Sequence, residues 1–333
     1  MIMKRFVSLI AALGIVALVI SAGCTGMQAT TRPTTTPSVT DATENVRAGS
    51  TAVAAAEKTQ VKTAVPATAV PLRPVTTTLP KIAVPEGSVA KYYTYTLDGK
   101  SDIIGLALPT SMYEAYTKKA DPSDKDGNEA YFLAYMNDRE QQPYISALAK
   151  AIQEKTAVTD DQARIAVSLV QHIPYHDAKQ YRYPYEVMYS GEGVCGEKAM
   201  LMAALLRELG YGSAVFYFEK EDHMTAGIAV PAVYGYRGTK YAFIEATEPN
   251  IITYDGTEFS FGTLSSVPDV IVAGNGKELT SVEADYNDAR MFSTLVENIK
   301  HLTTEQTDEY DALDAKYDLS YYTCQKCKIP AVA

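Results

Sequence analysis

The sequence predicts an α+β fold, and two features carry that prediction. Residues 197–209, EKAMLMAALLREL, are strong helix formers with no proline and no β-branched residue, and Gly210 follows as a stop. Directly after that helix come SAVFYFE, HMTAGIAV and KYAFIEAT, short segments with strand propensity. The glycine-bearing AVYGYRGT between the last two reads as a hairpin connection, so the strands run antiparallel beside the helix.

The elements follow in chain order. Lys4 and Arg5 precede an apolar or small run from Phe6 to Ala22, which leads into Ser21-Ala22-Gly23-Cys24. A charged start, an apolar stretch and small residues at a cleavage site make a secretory signal over residues 1–23. Small residues directly before a cysteine resemble the lipobox of bacterial and archaeal lipoproteins, with Ser21 where leucine is usual. The resemblance implies lipid attachment at Cys24; the alternative is an uncleaved anchor helix. Either reading puts the remainder outside the cytoplasmic membrane, at the cell surface. Residues 24–86 are dominated by Thr, Ala, Val and Pro and contain no aromatic residue. Such a segment buries too little apolar surface to offset its ordering entropy and reads as a disordered tether. A flexible chain of that length reaches roughly 45 Å.

Residues 87–155 form the first portion of the expected folded body. YYTYTL after Lys91 is a strand, Asp98-Gly99 a turn, and Ile103–Leu108 a second strand. Thr110 or Ser111 caps a short helix through MYEAYTKK, and after the polar loop ADPSDKDGNE the segments YFLAYMNDREQQ and ISALAKAIQEKT look helical. Residues 156–275 make the expected core. Thr159-Asp160-Asp161 opens the helix QARIAVSLVQHI, which Pro174 ends. In the 197–209 helix Met200, Leu201, Ala204, Leu205 and Leu209 are expected to be core, whereas Glu192, Glu197 and Lys198 read as solvated charges near its first turn. Asp222 reads as a turn residue, and PDVIVAG as one more strand. Residues 276–333 form a C-terminal extension, helical over 281–316.

With 333 residues, 47% of them hydrophobic, the chain is long enough for one or two domains with a real core. Its formal charge of −10, with no basic stripe interleaved with aromatics, argues against a nucleic-acid partner.

The cysteines sharpen the question of function. There are four: Cys24, Cys195, Cys324 and Cys327. Cys24 is used if the lipobox is real. Cys324 and Cys327 form a CxxC near the end of the sequence, and in an oxidising compartment a local disulfide is the expected state. A redox role needs a following helix, for which Lys328-Ile329-Pro330 leaves no room; half a zinc site is the other reading, without two further evident ligands. Cys195 is left unpaired, between glycines where the strongest helix begins. Unpaired N–H groups and the helix dipole favour a negative sulfur there, the neighbouring glycines admit close approach of a carbonyl, and the Cys195 amide can donate to an oxyanion.

A nucleophilic cysteine needs a base and a group that orients the base. The histidines are His172, His176, His223 and His301. His172 and His176 have a metal-like spacing, but Pro174 between them disfavours a shared helical face, and His301 lies in the charged C-terminal extension. His223 begins the strand that follows the helix–strand unit carrying Cys195. Glu245 lies in the apolar strand after that, where a lone carboxylate most needs a partner. His223 directly opposite Glu245 requires antiparallel pairing centred on Tyr234, while the turn residues centre near Tyr236, so the register calls for a bulge or an asymmetric loop.

A cysteine at a helix start, a histidine on one strand and an acid on the next resemble the transglutaminase-like superfamily of papain-type cysteine enzymes. The segment YPYEVMYSGEGVCGEKAMLMAALLRELGY is similar to the family's nucleophile region, DHMTAGIAV to its histidine strand and YAFIEATEP to its acid strand, over roughly residues 160–250. The resemblance implies a papain-like α+β core with the nucleophile at a helix N-terminus packed on an antiparallel sheet. It implies Cys195 as nucleophile, His223 as general base and acid, Glu245 as the orienting acid, and protein or peptide substrates, with no metal or organic cofactor required. The chain departs from the family in having Glu245 where aspartate is usual, Met224 where an aromatic is frequent, and no tryptophan at all. An oxyanion donor in place of tryptophan would be a Tyr or Gln, with Tyr175 and Tyr185 as candidates. The implied reaction is acyl transfer through a Cys195 thioester, with water or an amine as acceptor. The alternatives are a catalytically silent binding module on the same scaffold and a structural surface protein with a tyrosine-rich body.

Overall fold

The computed structural model describes residues 78–176, 180–256 and 263–320. The expected signal segment, the lipid-bearing Cys24 and the CxxC of Cys324 and Cys327 lie outside the described residues. Among the described residues no helix is long and apolar enough to cross a membrane.

The described part is a mixed α+β body organised around one buried helix. It opens with an antiparallel hairpin, β1 (Ser88–Leu97) and β2 (Lys100–Pro109). The hairpin turns through Asp98 (φ 46°) and Gly99 (φ 72°), the left-handed pair that a two-residue turn requires and that Asp-Gly supplies. Helices α1 (Thr110–Tyr116), α2 (Asn128–Met136), α3 (Gln142–Gln153), α4 (Thr159–Gln171) and α5 (Pro184–Ser190) lead to α6 (Cys195–Glu208). Every residue of α6 from Gly196 to Leu206 is buried. Helices α2 to α5 pack around it on one side, and the sheet lies on the other. A helix enclosed on all sides has no polar face, which matches its nearly unbroken apolar sequence. It ends where the sequence says it must. Gly210 takes φ 86°, its amide bonds to the Arg207 carbonyl, and the Tyr211 amide reaches the Leu206 carbonyl, a Schellman closure.

The sheet has four antiparallel strands in the order β5 (Tyr241–Ile244), β4 (His223–Ala229), β3 (Ser213–Phe218), β6 (Asp269–Gly274). Alternation along the strands divides their side chains. Val215, Met224, Ala226, Ile228, Ala242, Ile244 and Ile271 join the main core with α6. Ala214, Phe216, Phe218, Tyr241 and Phe243 form a second cluster on the opposite face, closed by Tyr236 and Leu264. The PDVIVAG segment is thus a strand, β6, and it pairs with β3 rather than extending the sheet beyond β5.

The β4–β5 register falls between the two centres, Tyr234 and Tyr236, that the sequence left open. Ala226 pairs with Ile244 and Ala229 with Tyr241, which centres the pairing on Gly235 rather than Tyr234. The connection is no simple turn: Ala232–Tyr234 and Tyr236–Gly238 each form a 3-10 turn, so the loop takes up the chain that a tight hairpin would have placed in strands. Continued past the strand ends, this register puts Glu245 two positions from the residue opposite His223, a diagonal neighbour rather than a direct one.

The segment 281–316 forms two helices, α7 (Glu283–Glu297) and α8 (Thr304–Tyr317). They dock on the hairpin and on α4. The Gly99 amide donates to the Lys316 carbonyl, Asp318 accepts from His172 Nε2 at 3.0 Å, and Arg164 on α4 holds the buried Asp285 at 2.7 Å.

Candidate active site

Cys195 is the first residue of α6 and is partly exposed; among the described residues it is the one free cysteine. Its amide, in the first turn, has no acceptor within the helix. The approach to it is fixed by backbone pairing. The Gly193 amide donates to Pro174 at 3.0 Å and the Gly193 carbonyl accepts from His176 at 3.3 Å, so Tyr175 and Gly193 form a parallel bridge two residues before the sulfur. The start of the helix is fixed by charge. Glu197 Oε2 accepts from the Val194 amide at 3.1 Å, and the same carboxylate accepts from the Arg182 amide at 2.8 Å and from its guanidinium at 2.9–3.2 Å.

His223, the first residue of β4, is buried with its Nε2 3.1 Å from Glu245 Oε2. The Cys195 side chain acts on the same ring and raises its basicity. Nε2 is the ring nitrogen that faces Glu245. Burial alone would lower the basicity of the imidazole. The interactions with Cys195 and Glu245 and their charges outweigh burial and raise it to about 9. Glu245 is fully buried. Its Oε1 accepts from the Ala246 amide at 2.9 Å, the Thr247 amide at 2.8 Å and the Thr247 hydroxyl at 2.6 Å. Burial raises its pKa, but the His223 contact and the Thr247 donors prevail and hold it below the usual carboxylate range. The carboxylate is therefore ionised, and its other oxygen is aimed at the histidine. The structure brings Cys195, His223 and Glu245 together, although the first pair is 28 residues apart and the second 22.

Two residues expected in solvent are instead in the interior. Glu197 and Lys198 are both fully buried. The physical reason is that α6 is buried without a break from Gly196 to Leu206, so beyond Cys195 its first turn offers no wet face; each charge is accommodated by partners from other segments. Glu197 has Arg182. Lys198 Nζ donates to the main-chain carbonyls of Gln171 at 3.2 Å, Ile173 at 2.6 Å and Thr247 at 2.8 Å. The glutamate at the third helical position carried a readable signal, since that is where a carboxylate reaches back to cap a helix start. Nothing local pointed to Lys198. Asp222 is a turn residue, as expected, with φ 48°.

Tyr185 is excluded as an oxyanion donor: it is fully buried, and its hydroxyl is committed to the Pro109 carbonyl at 2.7 Å. Tyr175 is 54% exposed and sits beside Gly193. A further tyrosine, Tyr181, was not singled out by sequence. Its ring stands against Gly196, where an added Cβ would lie 2.4 Å from Tyr181 Cε1 and 2.7 Å from Met224 Sδ. Gly196 is therefore required by the two side chains that wall the nucleophile. Burial raises the Tyr181 pKa, with the Cys195 charge adding to it.

His172 and His176 do not share a site. His172 closes α4 and is buried against Ser168 and Asp318, while His176 is exposed near Glu192. His301 is exposed in a 3-10 turn. Among the described residues no group of three His, Cys, Asp or Glu side chains is placed to hold a metal ion.

Residues 146–246 match the model of the transglutaminase-like superfamily, a span that holds Cys195, His223 and Glu245. No curated protein matches the chain. Among solved structures, a provisionally assigned protease from Parabacteroides distasonis is similar at 15% identity with a TM-score of 0.28, over 60% of this chain and 43% of that one. The chain thus spans less than half the length of that relative. The α+β body described above carries, over residues 146–246, a domain of the transglutaminase-like superfamily.

Proposed function

We propose that this protein is a cysteine enzyme that transfers acyl groups from protein or peptide amides through a thioester on Cys195. The observation that carries the reading is the His223 imidazole, held through Nε2 at 3.1 Å from an ionised, fully buried Glu245 and made more basic by the Cys195 side chain. A charged imidazole between two anions stabilises a thiolate–imidazolium pair, the state in which sulfur is nucleophilic. The sulfur attacks the amide carbonyl, and the carbonyl electrons move to oxygen, towards the Cys195 amide. His223 gives its ring proton to the departing amine, leaving the thioester. An incoming water or primary amine loses its proton to His223 as it attacks the thioester carbonyl, and the thiolate leaves and regenerates the pair. Water gives a hydrolase and an amine gives a transferase. Glu245 keeps the ring in the required tautomer throughout.

The location belongs to the same proposal. The charged start, the apolar run and the small residues before Cys24 support a lipid anchor that holds the body at the cell surface by the tether of residues 24–86.

The test uses a casein-like protein incubated with the enzyme, with and without a labelled primary amine, beside a Cys195→Ala control. Cys195-dependent label incorporation means amine transfer, and Cys195-dependent fragments mean hydrolysis. If the native protein gives neither, and iodoacetamide alkylates Cys195 no faster at pH 6 than a free thiol, the enzymatic reading fails.

A further inference from the structure

We propose that Lys198 is a positioning residue of the site: its buried ammonium balances the charge of the Cys195 sulfur and the Glu245 carboxylate, and its bond to Thr247 holds the loop that aims Glu245 at His223. The inference rests on the cysteine-enzyme reading above and extends it to a residue that touches no substrate.

The geometry is that of a tie between three segments. Lys198 lies one turn along α6 from Cys195, so it moves with the nucleophile. All three of its N–H donors are used, two at the C-terminal end of α4 (Gln171 and Ile173) and one on Thr247. A helix C-terminus presents unpaired carbonyls and the negative end of the dipole, the natural seat for a buried cation. Thr247 is the residue whose amide and hydroxyl grip Glu245 Oε1. The same α4 terminus binds the acid segment a second time, since Gln171 Nε2 donates to the Glu245 carbonyl at 2.8 Å and to the Asn250 carbonyl at 3.2 Å.

Charge gives the tie its second role. Thiolate, imidazolium and carboxylate carry one negative charge in excess, and an ammonium at Lys198 cancels it. The charged groups acting on Lys198 are Cys195 on its own helix and Glu245 and Glu248 on the segment after β5. From α4 it meets carbonyls, with the His172 ring turned to Ser168 and Asp318 instead. Glu248 is pushed up by burial and by Glu245, which lessens its claim on the ammonium. Burial pulls Lys198 down to about 7, against the upward pull of the three anions. The compensation is therefore complete in mildly acid solution and fades above neutrality. An ordinary lysine would show no such dependence, and a surface one could not compensate a buried anion.

The experiment follows the second-order rate of iodoacetamide alkylation of Cys195 from pH 4 to 10 in the full chain, for the native protein, Lys198→Met and Lys198→Arg. Loss of the positive charge disfavours the thiolate, so the acid limb of the Lys198→Met profile should move up by about one pH unit, about tenfold slower at pH 5, with Lys198→Arg recovering part of the shift. A Lys198→Met profile that keeps the native limb, even with a lowered melting temperature, overturns the proposal and leaves the cysteine-enzyme reading standing. A native protein with no acid-side reactivity overturns both. Should the Lys198 variants not fold, the reciprocal measurement decides: the Lys198 side-chain nitrogen is titrated by NMR in the native protein and in Cys195→Ala. Removal of the sulfur should lower its midpoint, and an unchanged midpoint overturns the proposal.

Discussion

Replacing Glu245 by glutamine removes one charge and keeps the shape, and the structure dictates how the new amide must sit. Oε1 accepts three hydrogen bonds, from the Ala246 amide, the Thr247 amide and the Thr247 hydroxyl, so the carbonyl end of the introduced side chain is pinned there and its NH2 end faces His223. That NH2 group is a donor at 3.1 Å from Nε2, which must then be bare. The ring proton is forced to Nδ1, and the base is lost by tautomer as well as by charge. The interval between the ordinary 6.5 and about 9 for His223 corresponds to about 3 kcal/mol net of burial, so Cys195 and Glu245 together supply more than that. Glu245→Gln should therefore slow alkylation of Cys195 at pH 6 by about 10- to 100-fold. The linkage has a definite sign. Because His223 is raised in the folded state, its contribution to stability is fully present below pH 6.5 and is lost as the pH rises through about 9. Urea midpoints of the native protein should fall between pH 6 and 9.5, and those of the variant should fall less. An alkylation rate within twofold of native at pH 6 would refute the reasoning, because Glu245 would then not be controlling the ring.

Two further substitutions probe the walls of the site. Arg182→Ala leaves the fully buried Glu197 with main-chain donors alone, and should cost about 3–5 kcal/mol in urea denaturation, with Arg182→Lys restoring only part because an ammonium cannot reproduce the forked contact. Gly196→Ala places a methyl against Tyr181 and Met224, and should lower stability by about 1–3 kcal/mol; the penalty should shrink in a Tyr181→Ala background, and equal penalties in both backgrounds would show that the ring is not the obstacle.

How much of this could be read from the chain depends on where each residue finds its partners. Cys195, His223 and Glu245 were legible because each sits at a point that local pattern marks: a glycine-flanked helix start, a strand start after a charged turn, and a carboxylate in an apolar strand. The long helix and its Gly210 stop were legible for the same reason. Glu197 and Lys198 were misjudged because burial is a property of the surroundings. The guanidinium comes from Arg182, and the three carbonyls come from segments 25 to 49 residues away. The β4–β5 register stayed open in the sequence because two 3-10 turns hide in AVYGYRGT, which propensity alone reads as a hairpin turn. Helix α5, the seven residues PYEVMYS with two tyrosines and a valine, has no propensity that would announce it; its punctuation is Pro184 at its first position, Glu186 at its third, which accepts from the Tyr183 amide at 2.9 Å, and Gly191 at its end.

The placement of β6 bears on how the protein can be handled. Cutting the chain to the matched span, 146–246, would remove residues 269–274 and with them the hydrogen-bonding neighbour of β3. The amides and carbonyls along one side of Ser213–Phe218 would then face water beside uncovered phenylalanines, an adhesive border that recruits other copies edge to edge. The natural unit for solution work therefore runs well past the sequence signature, and a fragment trimmed to the signature should precipitate even though it keeps Cys195, His223 and Glu245.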